Sequence, residues 1–292
     1  MNGPSFPLAW GTRTFVMGIL NVTPDSFSGD GLMSPERVPD VPEAALAQAR
    51  LFVEAGVDIL DVGGESTRPG AQPVSAEEEI QRVVPVIQAL AVARLKAIIS
   101  VDTSKANVAQ AALEAGAQWI NDVWGLRADA GMAAVVARAH APVVLMHNHS
   151  KPADAELLQR LGGRYTGVKY KHLIEEVKTE LMESVALAHA EGIPDDHIIL
   201  DPGIGFGKTV EQNLELIDRL GEIRALGYPV LLGPSRKSFI GYTLNLPPDQ
   251  RLEGTAAAVA ISIARGADIV RVHDVAAMVQ VARLSDAIVR KN

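Results

Sequence analysis

Short apolar runs along the chain are followed, one after another, by polar side chains that could do chemistry. A single Asp or Asn in such a position can simply cap the helix that follows it. The series is too regular for that explanation alone, and we interpret it as the rim of one active site. The polar positions are Asn21, Asp61 to Glu65, Asp102, Asn121 with Asp122, Met146 to Asn148, Asp201, Ser235 to Lys237, and Arg271 to His273.

The charges at these positions divide the predicted site into two halves. Asp102, Asn121 and Asp201 offer carboxylate and amide groups. They suit a flat ring that bears several N–H groups, because a carboxylate can accept two parallel hydrogen bonds in one plane. The other half is cationic and suits a phosphate or diphosphate. It comprises Arg68, Lys237, Arg271 and His273.

A glycine-rich run at 203–209 reads Gly-Ile-Gly-Phe-Gly-Lys-Thr and invites a nucleotide-binding interpretation. A P-loop would need a glycine where Pro202 stands, and the spacing of the dinucleotide fingerprint is not met either. We therefore interpret the run as a flexible turn between a strand and a helix, which allows a ligand to come close.

Two histidines that follow predicted strands, His147 and His273, could ligate a metal ion. No HxxxH motif and no neighbouring carboxylate supports a zinc site. The segment His147-Asn148-His149 is therefore interpreted as structural or as part of a loop. A hard cation such as Mg²⁺ needs no such cluster, because one amide oxygen, substrate phosphates and water can hold it.

The apolar runs alternate with longer helical patterns from one end of the chain to the other. Nearly continuous apolar runs of this length are typical of parallel strands buried on both faces. The predicted strands are 15–20, 59–62, 98–101, 119–120, 143–146, 198–200, 230–232 and 269–272.

Helix signals separate the predicted strands. Ser75 with Glu78 predicts a capping box that opens a helix running to about Leu95. Asp40 indicates the start of the preceding helix. Glycine in the left-handed conformation commonly ends a helix. Five glycines occupy such predicted ends, namely Gly56, Gly116, Gly192, Gly227 and Gly266.

A weak internal repeat shows one unit used several times. Segments 54–61, 114–121 and 264–271 each place a glycine at a helix end, then a strand, then a polar side chain. This favours a single domain over residues 1–292 with an α/β fold, a (βα)₈ TIM barrel whose active site lies at the C-terminal ends of the strands. A doubly wound open sheet is the alternative, but it usually has a glycine-rich first turn, which segment 21–25 lacks. The long segments 23–39 and 148–169 are predicted active-site loops.

Composition excludes several other functions. The chain has 292 residues, a formal net charge of −8 and no cysteine. The charge argues against a nucleic-acid partner or an anionic membrane surface. The lack of cysteine excludes disulfide and thiolate chemistry and fits a cytoplasmic location. The N-terminal segment does not resemble a secretory signal, and the apolar stretch 254–264 is too short to span a bilayer.

Seven motifs resemble the signatures of the dihydropteroate synthase family, in order and over about residues 15–275. The first reads Met-Gly-Ile-Leu-Asn-Val-Thr-Pro-Asp-Ser-Phe-Ser at 17–28, and the second Gly-Gly-Glu-Ser-Thr-Arg-Pro-Gly at 63–70. Shorter matches follow at 100–103, 120–122, 201–206, 235–241 and 271–275. Departures from the family pattern lie at 29–31, 147–151 and 233–234.

The resemblance implies a reaction: 6-hydroxymethyl-7,8-dihydropterin diphosphate and p-aminobenzoate condense to 7,8-dihydropteroate and diphosphate. It implies Asp102, Lys237 and Asp201 as catalytic residues. The pterin would be bound by Asp102, Asn121, Met146, Asp201 and Lys237. The diphosphate would be bound by Thr67, Arg271, His273 and Asn21, the last through Mg²⁺. The p-aminobenzoate would be bound by Thr67, Arg68, Pro69, Phe206 and Ser238.

Two other functions remain open at this point. A methyltetrahydrofolate-binding methyltransferase would share the barrel and pterin pocket, but would have no use for the 65–70 loop or the cationic groups. A catalytically silent pterin-binding homologue is the second alternative. The resemblance also implies sensitivity to sulfonamides and a homodimer. The apolar stretch 256–264 is one candidate interface, although it could equally pack against the barrel.

Overall fold

A computed structural model describes residues 8–22, 41–68, 70–158 and 160–290. In these ranges the strands are β1 (Phe15–Asn21), β2 (Ile59–Gly63), β3 (Ile98–Asp102), β4 (Trp119–Asp122), β5 (Val143–Met146), β6 (Ala155–Leu158), β7 (Gly162–Tyr165), β8 (Ile198–Asp201), β9 (Leu231–Leu232) and β10 (Ile269–Val272). The helices are α1 (Val41–Ala55), α2 (Ala76–Ala93), α3 (Ala106–Ala115), α4 (Met132–Ala139), α5 (Leu173–Ala190), α6 (Val210–Asp218), α7 (Leu220–Arg224), α8 (Ser238–Leu244), α9 (Leu252–Ala264) and α10 (Val275–Val289).

Eight of these strands form one parallel sheet in the order β8-β5-β4-β3-β2-β1-β10-β9. A parallel bridge between Leu200 and Val230 joins the two ends of that order and closes the barrel. All eight predicted strands are confirmed, and the open doubly wound sheet is wrong. The barrel places the carboxyl end of every strand on one rim.

The apolar runs are continuous because each strand is buried on both faces. Alternate residues such as Met17, Ile59 and Trp119 point into the barrel and pack together there. Their neighbours, among them Leu60 and Ile120, pack outward against the helices. Burial of apolar surface on both sides is therefore the main stabilisation of the strands that carry the site.

The helix signals are largely confirmed. Ser75 caps α2, and its side chain accepts a hydrogen bond from the Glu78 backbone. The carboxylate of Glu78 binds Arg82 instead of turning back to the cap. A reciprocal capping box occurs at Thr209 and Gln212, at the start of α6, where the sequence analysis did not predict one. All five glycines predicted at helix ends have positive φ. Asp40 lies outside the described residues.

The long segment after β5, predicted as a loop, contains an antiparallel hairpin formed by β6 and β7. The predicted loop at 23–39 lies outside the described residues. No helix in the described ranges is long and apolar enough to cross a bilayer.

Candidate active site

A row of predicted site residues crosses four neighbouring strands at the barrel rim. Asn21 on β1 pairs with Gly63 on β2, Gly63 pairs with Asp102 on β3, and Asp102 pairs with Asn121 on β4. Gly63 lies between the two side chains, and a Cβ there would be in ordinary contact with both, 3.6 Å from Cβ of Asp102 and 3.8 Å from Oδ1 of Asn21. The parallel register therefore brings together side chains that are far apart in the sequence.

Arg271 lies between two carboxylates at the end of β10. Its Nε donates to Oδ2 of Asp61 at 2.6 Å and its Nη2 to Oδ2 of Asp102 at 2.7 Å. The same oxygen of Asp61 accepts from the Asn121 amide at 2.9 Å. The sequence analysis assigned Arg271 to a separate cationic half, whereas the structure places its guanidinium against the acidic half. The two halves therefore adjoin at Arg271.

Burial shifts the proton affinities of this group. It raises the pKa of Asp102 to about 7, an effect that the attraction of Arg271 only partly offsets. It also raises the pKa of Asp201. Burial lowers the pKa of Lys237 to about 8. Groups that titrate near neutral pH can change charge as a ligand changes charge, which suits acid–base or electrostatic chemistry.

Asp201 and Lys237 meet at the glycine-rich run after β8. The carboxylate of Asp201 accepts a hydrogen bond from the Gly203 backbone at 2.7 Å. Lys237 donates to the carbonyl of Ile204, and its Nζ lies 4.5 Å from the centre of the Phe206 ring. Lys237, predicted for the pterin, and Phe206, predicted for p-aminobenzoate, are thus neighbours.

The glycine-rich run is a turn between β8 and α6, as predicted. The group that comes close to it here is the backbone of His147, and close approach of a ligand stays a prediction. Gly203 has φ of +72°, and a Cβ there would lie 1.8 Å from the carbonyl oxygen of His147. Gly205 has φ of +83°. These positions favour glycine because a side chain would be strained and, at Gly203, would overlap the backbone.

His273 is half-buried in strongly electropositive surroundings. Its Nδ1 is 3.0 Å from Oγ of Ser235. Burial lowers its pKa well below the ordinary range, and the positive charges of Arg271, Arg236, Arg68 and Lys237 lower it further. A neutral imidazole among guanidinium groups is a suitable surface for a phosphate group.

The remaining predicted residues lie on two segments beside this surface. Thr67 is exposed and Arg68 is half-buried in the loop after β2. Ser238 is half-buried at the start of α8. Met146 is buried at the end of β5, in register with Asp201. Pro69 lies outside the described residues.

Two buried side chains matter more than the sequence analysis indicated. Asp61 is fully buried and orients both Arg271 and Asn121. Lys208 is buried, and its Nζ donates to the carbonyls of Gly203 at 2.9 Å and Phe206 at 3.1 Å. The available signals were an acid inside an apolar strand and a lysine within the glycine-rich run.

The pair His147 and His149 has a neighbouring carboxylate, which the sequence analysis did not find. Oε2 of Glu180, on α5, lies 3.3 Å from Nε2 of His147 and 2.6 Å from Nε2 of His149. These three donors could hold a metal ion. However, Arg127 binds the same Glu180 oxygen at 3.1 Å, and Lys208 lies 3.0 Å from Nδ1 of His147. The charge of Arg127 opposes a metal ion, and Lys208 already occupies Nδ1 of His147, so the geometry favours a hydrogen-bond network.

Comparisons with known proteins agree with this geometry. The model of the family described as pterin binding enzyme matches residues 17–273. The chain is 48% identical to dihydropteroate synthase of Clostridium beijerinckii over 96% of both chains. It is 46% identical to the Bacillus subtilis enzyme, over 97% of this chain and 92% of that one.

Solved structures show the same similarity. The dihydropteroate synthase of Clostridium difficile, solved in the presence of pteroic acid, superposes with a TM-score of 0.85 at 46% identity, covering 97% of this chain and 100% of that one. The Yersinia pestis enzyme, in a complex with a sulfonamide drug, has a TM-score of 0.86 at 39% identity and covers 99% and 98%. The chain therefore belongs to the pterin-binding enzyme family, among the dihydropteroate synthases.

Proposed function

We propose that this protein condenses 6-hydroxymethyl-7,8-dihydropterin diphosphate with p-aminobenzoate, giving 7,8-dihydropteroate and diphosphate. The observation that carries the proposal is the hydrogen-bonded group of Asp61, Asp102, Asn121 and Arg271 directly beside the electropositive surface at His273. Such a site accommodates a hydrogen-bonding heterocycle at one end and an anionic leaving group at the other.

The pterin ring binds at the carboxylates. Asp102 uses only Oδ2 toward Arg271, and Asp201 uses only Oδ1 toward Gly203, in contacts with described residues. One oxygen of each carboxylate is therefore available to ring N–H groups. These bonds fix the ring plane and orient the hydroxymethyl carbon toward the cationic surface.

Bond breaking follows from the same charges. The C–O bond to the diphosphate breaks, and the diphosphate leaves with the electron pair. Positive charge then develops on the dihydropterin, where Asp102 and Asp201 stabilise it. The amine nitrogen of p-aminobenzoate attacks the same carbon with its lone pair and loses a proton to complete the product.

The leaving diphosphate is stabilised by the cationic surface that contains Arg68 and His273. Mg²⁺ is part of the proposal. Asn21 ends β1 across Gly63 from Asp102, and its amide makes no hydrogen bond to the described residues. One hard oxygen donor suits Mg²⁺, which keeps several waters and binds substrate phosphates. When bound, the ion neutralises charge on the leaving group.

The second substrate fits between the loop after β2 and the start of α8. The ring of Phe206 offers an aromatic face to p-aminobenzoate. Arg68 and Ser238 offer a guanidinium and a hydroxyl to its carboxylate. Thr67, and Pro69 outside the described residues, complete the proposed set.

The experiment is to measure diphosphate release with and without p-aminobenzoate. We expect release to depend on the amine, to need a divalent cation and to be inhibited competitively by a sulfonamide. A silent pterin-binding homologue would bind the pterin and release nothing. A methyltransferase would transfer a methyl group from methyltetrahydrofolate and would not need the amine.

We further propose a homodimer. An apolar groove of about 300 Å³ runs between α6, α8 and α9 and is lined by Leu214, Leu244, Ala257 and Ile261 among others. One side of α9 packs on the barrel, with Ala258 and Val259 buried, while Ala257 and Ile261 line the groove. Helix α9 therefore has one side packed against the barrel and another side available to the proposed interface. Exposed apolar surface of this kind is typical of an interface.

Mass by light scattering tests this proposal. We expect a dimer that Ile261→Asp converts to a monomer, while Leu284→Asp, at an exposed leucine on α10, leaves the mass unchanged. A wild-type monomer at micromolar concentration would contradict the proposal. A cytoplasmic location, supported by the lack of cysteine, is proposed as well and is tested by cell fractionation.

A further inference from the structure

The hairpin of β6 and β7 is fixed at its turn to the region of α8 and α9. Arg251, which is buried, donates from Nη2 to the carbonyl of Leu161 at 2.8 Å. The hydroxyl of Tyr242, on α8, donates to the carbonyl of Gly162 at 3.4 Å. The guanidinium of Arg164 lies 4.3 Å from the centre of the Tyr242 ring. The hairpin is thus held by interactions with residues about 80–90 positions later in the chain.

The other side of the hairpin contacts the loop after β2. A Cβ at Gly70 would lie 3.0 Å from Cδ1 and 3.3 Å from Cδ2 of Leu157, on β6. Gly70 closes the short segment that begins with Thr67 and Arg68. With this loop in place Leu157 is still 65% exposed, so the loop covers part of a large apolar side chain that is otherwise mostly in contact with solvent.

The hairpin therefore connects the two segments between which the second substrate is proposed to bind. One is α8, which begins at Ser238, and the other is the loop that carries Thr67 and Arg68. We propose that Leu157 is a positioning residue for p-aminobenzoate, acting by holding this loop in its binding conformation. The inference rests on the proposed function, and it concerns the loop rather than the chemistry at the pterin.

The physical reason is the entropy of the loop. A loop that must be ordered when the substrate binds weakens binding by the free energy of ordering. A contact that orders the loop beforehand removes part of that cost. Loss of the contact should therefore raise the KM for p-aminobenzoate most. The KM for the pterin diphosphate should rise less, because only its diphosphate meets this loop, at Thr67 and Arg68, while its ring is bound by other strands.

Leu158 provides a matched control. It is the next residue on β6 and is 41% exposed. Successive side chains of a strand point to opposite faces, so Leu158 faces away from the side on which Leu157 contacts Gly70. Both leucines pair with glycines of β7, Leu157 with Gly163 and Leu158 with Gly162.

The experiment compares Leu157→Ser with Leu158→Ser in the full-length enzyme. For Leu157→Ser we expect a KM for p-aminobenzoate raised by about five- to tenfold, the scale of one lost apolar contact. The KM for the pterin diphosphate should rise clearly less than that for p-aminobenzoate, and kcat should stay within about twofold. Leu158→Ser should match the wild type in all three constants.

Hydrogen exchange at residues 64–72 gives a readout that does not depend on turnover. We expect faster exchange there in Leu157→Ser only. The inference is overturned if the KM for p-aminobenzoate is unchanged, if both substrates are affected equally, or if both variants behave alike. Failure of the proposed function would instead show as absent amine-dependent turnover in the wild type, with the exchange difference intact.

Discussion

Substitution of Asp61 by Asn tests how the pterin pocket is held together. Asp61 is fully buried, and one of its oxygens accepts from both Arg271 and Asn121. The change keeps the shape of the side chain and removes its charge. A hydrogen bond to a charged group contributes about 1.5–3 kcal/mol, which corresponds to about a 10- to 100-fold change at 1.4 kcal/mol per tenfold.

We therefore expect kcat/KM for the pterin diphosphate to fall about 10- to 100-fold, because Arg271 and Asn121 lose their common partner. The negative charge of Asp61 also helps to raise the pKa of Asp102. The acidic limb of the pH profile of kcat/KM should therefore move to lower pH in the variant.

Asp58→Asn is the matched control. Asp58 lies just before the same strand, at the opposite end of the barrel, and pairs with Arg13 at 2.6 Å. Its loss should lower the Tm and leave kcat/KM unchanged, because that end of a barrel serves stability. The reasoning is refuted if Asp61→Asn, correctly folded by circular dichroism, keeps wild-type kcat/KM and pH profile.

Three further predictions address single parts of the account. Asp102→Asn should fold normally by circular dichroism and lose most turnover, and unchanged diphosphate release would contradict the role of this carboxylate. Gly203→Ala should destabilise the protein by at least about 3 kcal/mol or prevent folding, because its Cβ would overlap the His147 carbonyl. Gly192→Ala is the control, because Gly192 has φ of +83° and open space around it, and this change should lower the free energy of unfolding by only about 1 kcal/mol. Equal losses for the two variants in urea denaturation would refute the steric argument. Burial lowers the pKa of Lys208 from 10.5 to about 7, so between these values the unfolded chain binds a proton that the folded chain lacks. The free energy of unfolding of the wild type should therefore rise with pH relative to that of Lys208→Met across that window. The same pH dependence in both proteins would contradict the lowered pKa of Lys208.

The barrel strands were predictable because their signal is local. A strand buried on both faces must be apolar at nearly every position, as in the Phe15–Leu20 run. The hairpin of β6 and β7 gave no such signal, because segments Ala155–Leu158 and Gly162–Tyr165 neither alternate nor run apolar. It is held by Arg251 and Tyr242, whose approach depends on the tertiary fold.

The residues of the candidate site also fall into those that the sequence predicts and those that it does not. Residues at strand ends, such as Asp102 and Asp201, were predictable because a parallel barrel brings all carboxyl ends to one rim. Partners that lie on other elements were not predictable. Glu180 reaches His149 from a helix 31 residues further along the chain, and Arg271 sits with the carboxylates although its charge alone indicated an anion.

The most direct test of the central claim is the stoichiometry of one reaction. Purified enzyme is incubated with the pterin diphosphate, p-aminobenzoate and Mg²⁺, and dihydropteroate and diphosphate are quantified together by mass spectrometry. With the amine present, the account predicts equal amounts of dihydropteroate and diphosphate. Without the amine, it predicts that neither product forms. Diphosphate without dihydropteroate, or no consumption of the pterin substrate, would contradict it.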